Sequence, residues 1–246
     1  MTFLNGIAKQ RVSVIIPAYN EAMSIGSVIG DCKAFCDEII VIDDGSTDDT
    51  AKITERSGAD VLKNEKNLGV TKTIRRGIEA AHGDIIVTMD ADGQHDPSDI
   101  PNLIKPIVEE EGDVVLGVRD EIPHRSERII NALAGLRAKC SDTGTGFRAM
   151  RANIAKKMKL RGTCLCGTFF LEAHKQGARV VEVPIKTKPR LHGERKMKTR
   201  HIKQFFYVAR DLITYIMESA TGIFNAGELA SLLRSSNAKE YDQGTI

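Results

Sequence analysis

Five apolar, β-rich runs in the first half of the chain, with helical spacing between them, restrict the fold more than any other feature. The runs are Val12–Pro17, Glu38–Asp43, Asp60–Lys63, Asp84–Met89 and Asp113–Gly117. Between them lie helical stretches at about Glu21–Phe35, Asp49–Ser57, Leu68–Ala81 and Pro97–Glu110. Ser46, Thr47 or Asp48 can cap the second of these. Alternation at this spacing predicts an α/β fold, a mostly parallel sheet with helices on both faces. The rhythm changes after Arg119. Helical segments near Arg125–Lys139, Ala152–Lys159 and Thr168–Gln176 precede an extended run at Arg179–Lys186, and a long helix is expected from His201 to about Ser219. The reading is one domain over 11–200 and a helical appendage over 201–246, with a disordered tail.

In an open α/β sheet, ligands bind outside the carboxyl ends of the strands. The fourth run, Ile85-Ile86-Val87-Thr88-Met89, ends in Asp90-Ala91-Asp92-Gly93-Gln94-His95. If the backbone stays extended there, Asp90, Asp92 and Gln94 face one side. Such a set suits a hard divalent cation that keeps waters and substrate phosphates as its other ligands. The plainer alternative is a solvated acidic turn. Two more strand ends bring polar groups to the same rim, Pro17-Ala18-Tyr19-Asn20-Glu21 and Asp43-Asp44-Gly45-Ser46.

Composition narrows the class. The 246 residues, 41% hydrophobic and 28% charged, can fill one sizeable core. Five cysteines, an odd number, do not read as a disulfide framework, and reduced half-buried thiols are expected rather than a zinc site. The start of the chain lacks the apolar core of a signal peptide, and no stretch reaches the ~18–20 apolar residues that span a bilayer. A cytoplasmic location is the default expectation. The net charge of +2 conceals an asymmetry: Lys186–Lys203 holds eight Lys and Arg against Glu194 alone, net +7, which leaves the remainder at −5.

The motifs V-S-V-I-I-P-x-Y-N-E, V-I-D-D-G-S-T-D-x-T and D-x-D after a hydrophobic strand stand in order and spacing that resemble the family-2 glycosyltransferases over roughly residues 11–210. That resemblance implies the GT-A fold, a Rossmann-like nucleotide-diphospho-sugar transferase sheet. Asp90-Ala91-Asp92-Gly93-Gln94-His95, Gly144-Thr145-Gly146-Phe147-Arg148, Glu182-Val183-Pro184-Ile185 and the segment from His192 to Lys198 are further similar to the polyprenol-phosphate hexosyltransferases, the dolichyl-phosphate mannose synthase group. By resemblance, Pro17, Tyr19, Glu21, Ile42, Asp44, Asp90, Ala91, Asp92 and Gln94 contact a nucleotide sugar. Asp90, Asp92 and Gln94 hold Mg²⁺ or Mn²⁺. The physical reading agrees, since Tyr19 and Pro17 can pack on a base and Glu21 and Asp44 offer acceptor oxygens. For Tyr19 the plainer alternative is a half-buried loop aromatic, and for Asp44 a helix cap.

The implied acceptor is a polyprenyl or dolichyl phosphate, glycosylated with inversion. A phosphate monoester is already ionised near pH 7 and needs no protein base, but it does need cations. Arg119 and Arg128 match the positions that serve this end in the group. Asp142 either positions the acceptor or caps a helix. The basic strip resembles the loop that folds over the donor diphosphate through Arg190, His192 and Lys198. It departs from the pattern, with His192 where a second Arg is expected and Arg195 where Ser is usual. The amphipathic helix after it, beside so many cations, suits the surface of an anionic membrane or a membrane-anchored partner; packing on the domain is the alternative. Three rivals remain. A family-2 enzyme with a hydroxyl acceptor needs a carboxylate base, for which Glu172 is the spare. A nucleotidyltransferase needs a Gly-rich basic loop after the first strand. A non-enzymatic nucleic-acid module is disfavoured, because the strip has no interleaved aromatics and the body is acidic.

Overall fold

The computed structural model describes residues 10–122, 125–190 and 201–220, with side chains of the last segment from 203 to 217. Its elements in order are β1 (Val12–Ala18), α1 (Ile25–Cys32), β2 (Glu38–Asp43), α2 (Thr50–Arg56), β3 (Asp60–Lys63), α3 (Val70–Ala80), β4 (Ile85–Thr88), a 3₁₀ turn at Pro97–Asp99 leading into α4 (Ile100–Val108), β5 (Val114–Arg119), α5 (Arg125–Ala134), β6 (Arg148–Arg151), α6 (Ala152–Ala155), α7 (Thr168–Lys175), β7 (Val180–Ile185) and α8 (His201–Ala220). The strands form one sheet in the order β3-β2-β1-β4-β6-β5-β7. Six run parallel, and β6 lies antiparallel between β4 and β5, pairing Thr88 with Arg148 and Leu116 with Arg148.

Strand alternation sends successive side chains to opposite faces, so the sheet carries two cores. Ile15, Ile40, Ile42 and Ile86 face α3, α5, α7 and α8. Val14, Ile16, Val41, Ile85 and Val87 face α1 and α4. Runs hydrophobic on both faces are what a covered parallel sheet demands. α3 lies close against its face: a Cβ at Gly77 would sit 2.5 Å from Ile15 Cγ2 and 2.6 Å from Ile42 Cδ1.

Two elements differ from the sequence expectation. The first helix starts at Ile25 rather than Glu21, because Asn20 takes φ 54° and the Glu21 carbonyl closes a tight turn onto the N–H groups of Ser24 and Ile25. Of the three proposed caps for α2, Asp48 accepts the Thr50 N–H at 3.0 Å. β6 was not expected at all. At the other end, α8 docks through buried Val208, Leu212 and Tyr215. Its buried Gln204 accepts the Thr163 N–H at 3.1 Å and donates to the Cys166 carbonyl at 2.7 Å.

Candidate active site

β2, β1 and β4 are parallel neighbours, so the loops that follow their carboxyl ends share one rim. The first two loops are laced together. The Asn20 N–H donates to Ser46 Oγ at 2.8 Å, the Thr47 N–H donates to Asn20 Oδ1 at 2.7 Å, and the Ser46 N–H donates to Asp43 Oδ1 at 2.9 Å. Gly45 has φ 76°, and a Cβ there would lie 2.6 Å from the Lys66 backbone. The Glu21 N–H is held by Thr50 Oγ1 at 2.8 Å.

The residues expected to meet a nucleotide are not all equally placed. Tyr19 and Pro17 are half-buried at the rim, and Glu21 brings a mostly buried carboxylate to it. Asp44 is buried and accepts from Asn64 Nδ2 at 2.7 Å and from the Leu68 and Gly69 N–H groups at 2.9 Å. It therefore ties down the loop leading into α3 without capping that helix, whose N-cap is Gly69, with three of roughly four lone-pair sites engaged. The Ile42 side chain is fully buried beneath α3 and Ala91 is 3% exposed. Those two can present backbone, not side chain, to a ligand.

After Thr88 the chain does not stay extended, as the alternation argument assumed; it turns, with Gly93 at φ 77°. The turn still gathers the expected groups. Asp92 Oδ1 accepts the Gln94 N–H at 3.1 Å. A Cβ on Gly146 would lie 2.5 Å from Asp90 Oδ2, so the Gly144–Phe147 turn must present a glycine to let Asp90 stand where it does. The start of the basic strip is zipped along this loop. The Lys188 N–H donates to the Gln94 carbonyl at 2.8 Å, Gln94 Nε2 donates to the Lys188 carbonyl at 3.4 Å, and Lys188 Nζ meets Asp96 Oδ2 at 2.7 Å. That register delivers Arg190 to the rim, where Nη1 lies 3.2 Å from Asp92 Oδ2 and Nη2 pairs with Glu21 Oε1. His192, Lys196 and Lys198 lie outside the described residues.

Burial first, and then the charge of Asp90, push the Asp92 carboxyl above its ordinary value. A half-buried carboxylate beside another is short of positive charge, and the Arg190 guanidinium already stands on it. The two acids, with the Gln94 amide oxygen turned away from Lys188, therefore fit a divalent cation. Among the described residues no group of three or more His, Cys, Asp or Glu side chains forms a self-sufficient metal cage. The arrangement matches a hard cation completed by phosphate oxygens and water.

Arg119 and Arg128 sit in different surroundings. Arg119 forms a two-pronged pair with fully buried Asp142, Nε to Oδ2 at 2.7 Å and Nη2 to Oδ1 at 2.9 Å, and meets buried Glu127 at 2.8 Å. Burial raises the Asp142 carboxyl, but hydrogen bonds and charge from Arg119 outweigh it and hold the group below its usual value. Asp142 is thus a weak base that caps no helix. One guanidinium between two carboxylates carries net −1, so the cluster is no ready anion site. Arg128 is exposed on the outside of α5 beside Ile129. Glu172 Oε1 accepts from the Lys159 N–H and from Gln176 Nε2, each at 3.0 Å, and is spent on α7.

Several residues at the site were given no individual role by the sequence reading, although His95 and Glu182 stood in its motifs. His95, 6% exposed, accepts the Asp90 N–H on Nδ1 at 3.3 Å and stacks on Phe147 with ring centroids 5.1 Å apart. Glu127 and Asn131 occupy the buried stripe of α5 with Ile130 and Ala134; two polar groups there, four residues apart, were the available signal. Glu182 Oε1 accepts the Ser141 N–H at 2.6 Å and so supports the Asp142 loop. All five cysteines are free thiols, as expected.

Comparisons with known proteins converge on this geometry. The sequence model of Glycosyl transferase family 2 matches residues 13–172. The undecaprenyl-phosphate 4-deoxy-4-formamido-L-arabinose transferase of Edwardsiella ictaluri is 32% identical, the match covering 91% of this chain and 74% of that one. The UDP-N-acetylglucosamine–dolichyl-phosphate N-acetylglucosaminyltransferase of Methanococcus voltae is 29% identical over 74% of this chain and 87% of its own. Among solved structures, glucosyl-3-phosphoglycerate synthase from Mycobacterium tuberculosis in complex with Mn²⁺ and UDP-glucose superposes with a TM-score of 0.66 at 25% identity, covering 88% of this chain and 81% of that one. The sheet order, the acidic loop at the end of β4 and these matches agree that the chain is a GT-A-fold glycosyltransferase and belongs to glycosyl transferase family 2.

Proposed function

We propose that this enzyme transfers a hexose, with inversion, from a nucleotide-diphosphate sugar (GDP-mannose or a UDP-sugar) to a polyprenyl or dolichyl phosphate. The observation that carries the reading is the pairing of Asp92 and Glu21 through Arg190 on a rim of three strand ends. It supports the reading because acidic oxygens suited to nucleoside donors and carboxylates suited to a cation stand within reach of one guanidinium. Asp90, Asp92 and Gln94 would hold Mg²⁺ or Mn²⁺, which when bound offsets the charge that develops on the departing diphosphate. Tyr19 and Pro17 receive the base and Glu21 its donors. Arg190 exchanges its carboxylates for diphosphate oxygens, to which a guanidinium is well shaped. His192 and Lys198 are assigned to the same diphosphate.

The acceptor assignment rests on relatives named for undecaprenyl and dolichyl phosphate and on the absence of a spare base near Arg119 among the described residues. Asp142 is tied to Arg119, Glu127 is buried with it, and Glu172 is engaged elsewhere. A phosphate nucleophile brings its own charge, and exposed Arg128 is the cation assigned to meet it by the resemblance to the polyprenol-phosphate group. With Arg119 neutralised by its two acids, its role becomes holding Asp142 and the Gly144 turn: a Cβ on Gly144 would lie 2.8 Å from Arg119 Nη2.

No described helix is long and apolar enough to cross a membrane. α8 nevertheless exposes Phe206, Ile213, Ile216 and Met217, and neighbouring α5 exposes Arg125, Arg128 and Ile129, with Leu136 just beyond it. Apolar groups interleaved with cations fit the cytoplasmic face of an anionic membrane, where the acceptor headgroup lies. The test supplies radiolabelled sugar nucleotides to the purified chain with polyprenyl phosphate or free polyprenol. Label is expected on the phosphate alone; comparable transfer to the alcohol replaces this reading with the hydroxyl-acceptor one.

A further inference from the structure

The Asp92 carboxylate, assigned to a divalent cation, already holds one positive charge. Its Oδ1 accepts the Gln94 N–H at 3.1 Å, and its Oδ2 accepts Arg190 Nη1 at 3.2 Å. The same guanidinium pairs through Nη2 with Glu21 Oε1, so one planar fork joins the loops after β1 and β4. All three side chains are shielded from water, with Arg190 17%, Asp92 13% and Glu21 11% exposed. Shielding matters here, because an ion pair in open solvent is worth little, while a covered one is screened much less.

Arg190 is brought to these acids by backbone contacts. The strip that ends in it is pinned along the segment from Gln94 to Asp99. Thr187 forms a bridge with His95, the Lys186 N–H reaches Asp99 Oδ2 at 3.4 Å, and Lys188 is tied to Gln94 and Asp96. None of these anchors uses a carboxylate of Asp90, Asp92 or Glu21. The guanidinium can therefore leave both acids by side-chain rotation while the strip stays in place.

A guanidinium and a dication on one carboxylate oxygen repel each other, so Arg190 opposes the entry of a bare metal ion. A diphosphate shifts the balance, since it offers the guanidinium a partner matched to two parallel hydrogen bonds. We infer that Arg190 is a stand-in cation that makes this site select a divalent metal as its nucleoside diphosphate complex and reject the free ion. Until nucleotide arrives, the guanidinium keeps two shielded carboxylates compensated, and leaving them unpaired would be costly. The diphosphate then draws Arg190 off Asp92 and frees that oxygen. Coupling of this kind is reciprocal: nucleotide raises metal affinity by the factor by which metal raises nucleotide affinity. The inference rests on the proposed reading of the rim as a nucleotide and metal site, and its test separates the two.

The probe is Mn²⁺, with the free ion counted by its paramagnetic resonance signal, titrated into the full chain first alone and then with UDP or GDP. Wild type is expected to bind Mn²⁺ weakly without nucleotide. Arg190→Gln should bind Mn²⁺ alone about 10-fold more tightly, the scale of one charge-assisted contact, and should bind the Mn²⁺–nucleotide complex less tightly by a similar factor. Arg190→Lys keeps the charge and should stay near wild type for Mn²⁺ alone. Asp92→Asn added to Arg190→Gln should remove the gain, which ties the ion to this carboxylate. Arg190 lies outside both cores, and melting curves check that each variant folds. Unchanged Mn²⁺ affinity in Arg190→Gln, an equal gain in Arg190→Lys, or a gain that survives Asp92→Asn overturns the inference while leaving the nucleotide site intact. If neither UDP nor GDP binds wild type with Mn²⁺, the reading of the rim fails and the selection falls with it.

Discussion

Gly146 shows how one residue's lack of a side chain serves another residue's carboxylate. A methyl at 146 would meet both Asp90 carboxylate oxygens at 2.5 and 2.6 Å. Asp90 is nearly half exposed and can swing, so the clash is relieved by moving the acid rather than the backbone. Gly146→Ala is therefore expected to melt close to wild type yet lose about 10–100-fold in catalytic efficiency, because an ångström at a reacting site costs on that order. Parallel melting and steady-state assays check this; unimpaired turnover would show that the position of Asp90 does not matter. The acids themselves were legible in the sequence, since D-x-D after an apolar run is a local pattern. The glycine's purpose was not, because the residue it clears is 56 positions away in the chain. The same holds for Arg119. Its chain position suggested a phosphate ligand, but its partners Asp142 and Glu127 come from separate elements and neutralise it.

At the level of elements, parallel strands and their helices were readable because each is buried on both sides and carries its own periodicity. β6 was not. Arg148-Ala149-Met150-Arg151 has no β-branched residue and an arginine at each end, and it becomes a strand only because β4 and β5 pair with it from both sides. The α7 helix offers a pH test. Burial first and the Arg137 charge second push His174 down to about 4, with its ring edge-on to Phe170 at 4.6 Å. Folded His174 stays neutral where the unfolded chain takes up a proton near pH 6.5. Stability contributed by the neutral form is therefore lost as pH falls from about 6.5 towards 4, at no more than about 1.4 kcal/mol per pH unit. Melting curves at intervals over that range should show a gentler decline for His174→Gln than for wild type. Equal slopes would mean that His174 protonates in the folded state as readily as in the unfolded one.

The whole molecule joins a rim that handles charge to a flank that is apolar and basic. α8 uses one face to complete the core through Val208, Leu212 and Tyr215, and Arg137 lies 4.4 Å over the Tyr215 ring, locking α5 and α8 side by side. The opposite face of α8 keeps Phe206, Ile213 and Met217 in solvent. The sequence alone offered packing or membrane binding for this helix as alternatives; the structure shows packing on one face and leaves the other available. Sedimentation with anionic vesicles should pull down the wild type, weaken steeply with added salt, and fall about 10-fold or more for Phe206→Asp combined with Ile213→Asp. Equal partition into neutral vesicles at any salt would assign the face to another partner.

The central claim is that the rim of β1, β2 and β4 binds a nucleoside diphosphate together with a divalent cation on Asp90 and Asp92. Calorimetric titration of UDP and GDP into the full chain, with Mn²⁺ and with chelator, tests it most directly. One of the two nucleotides should bind on the order of 100-fold more tightly with Mn²⁺ in the wild type, and Asp92→Asn should abolish that gain while folding normally. Identical nucleotide affinity with and without metal, or a metal effect untouched in Asp92→Asn, would contradict the account.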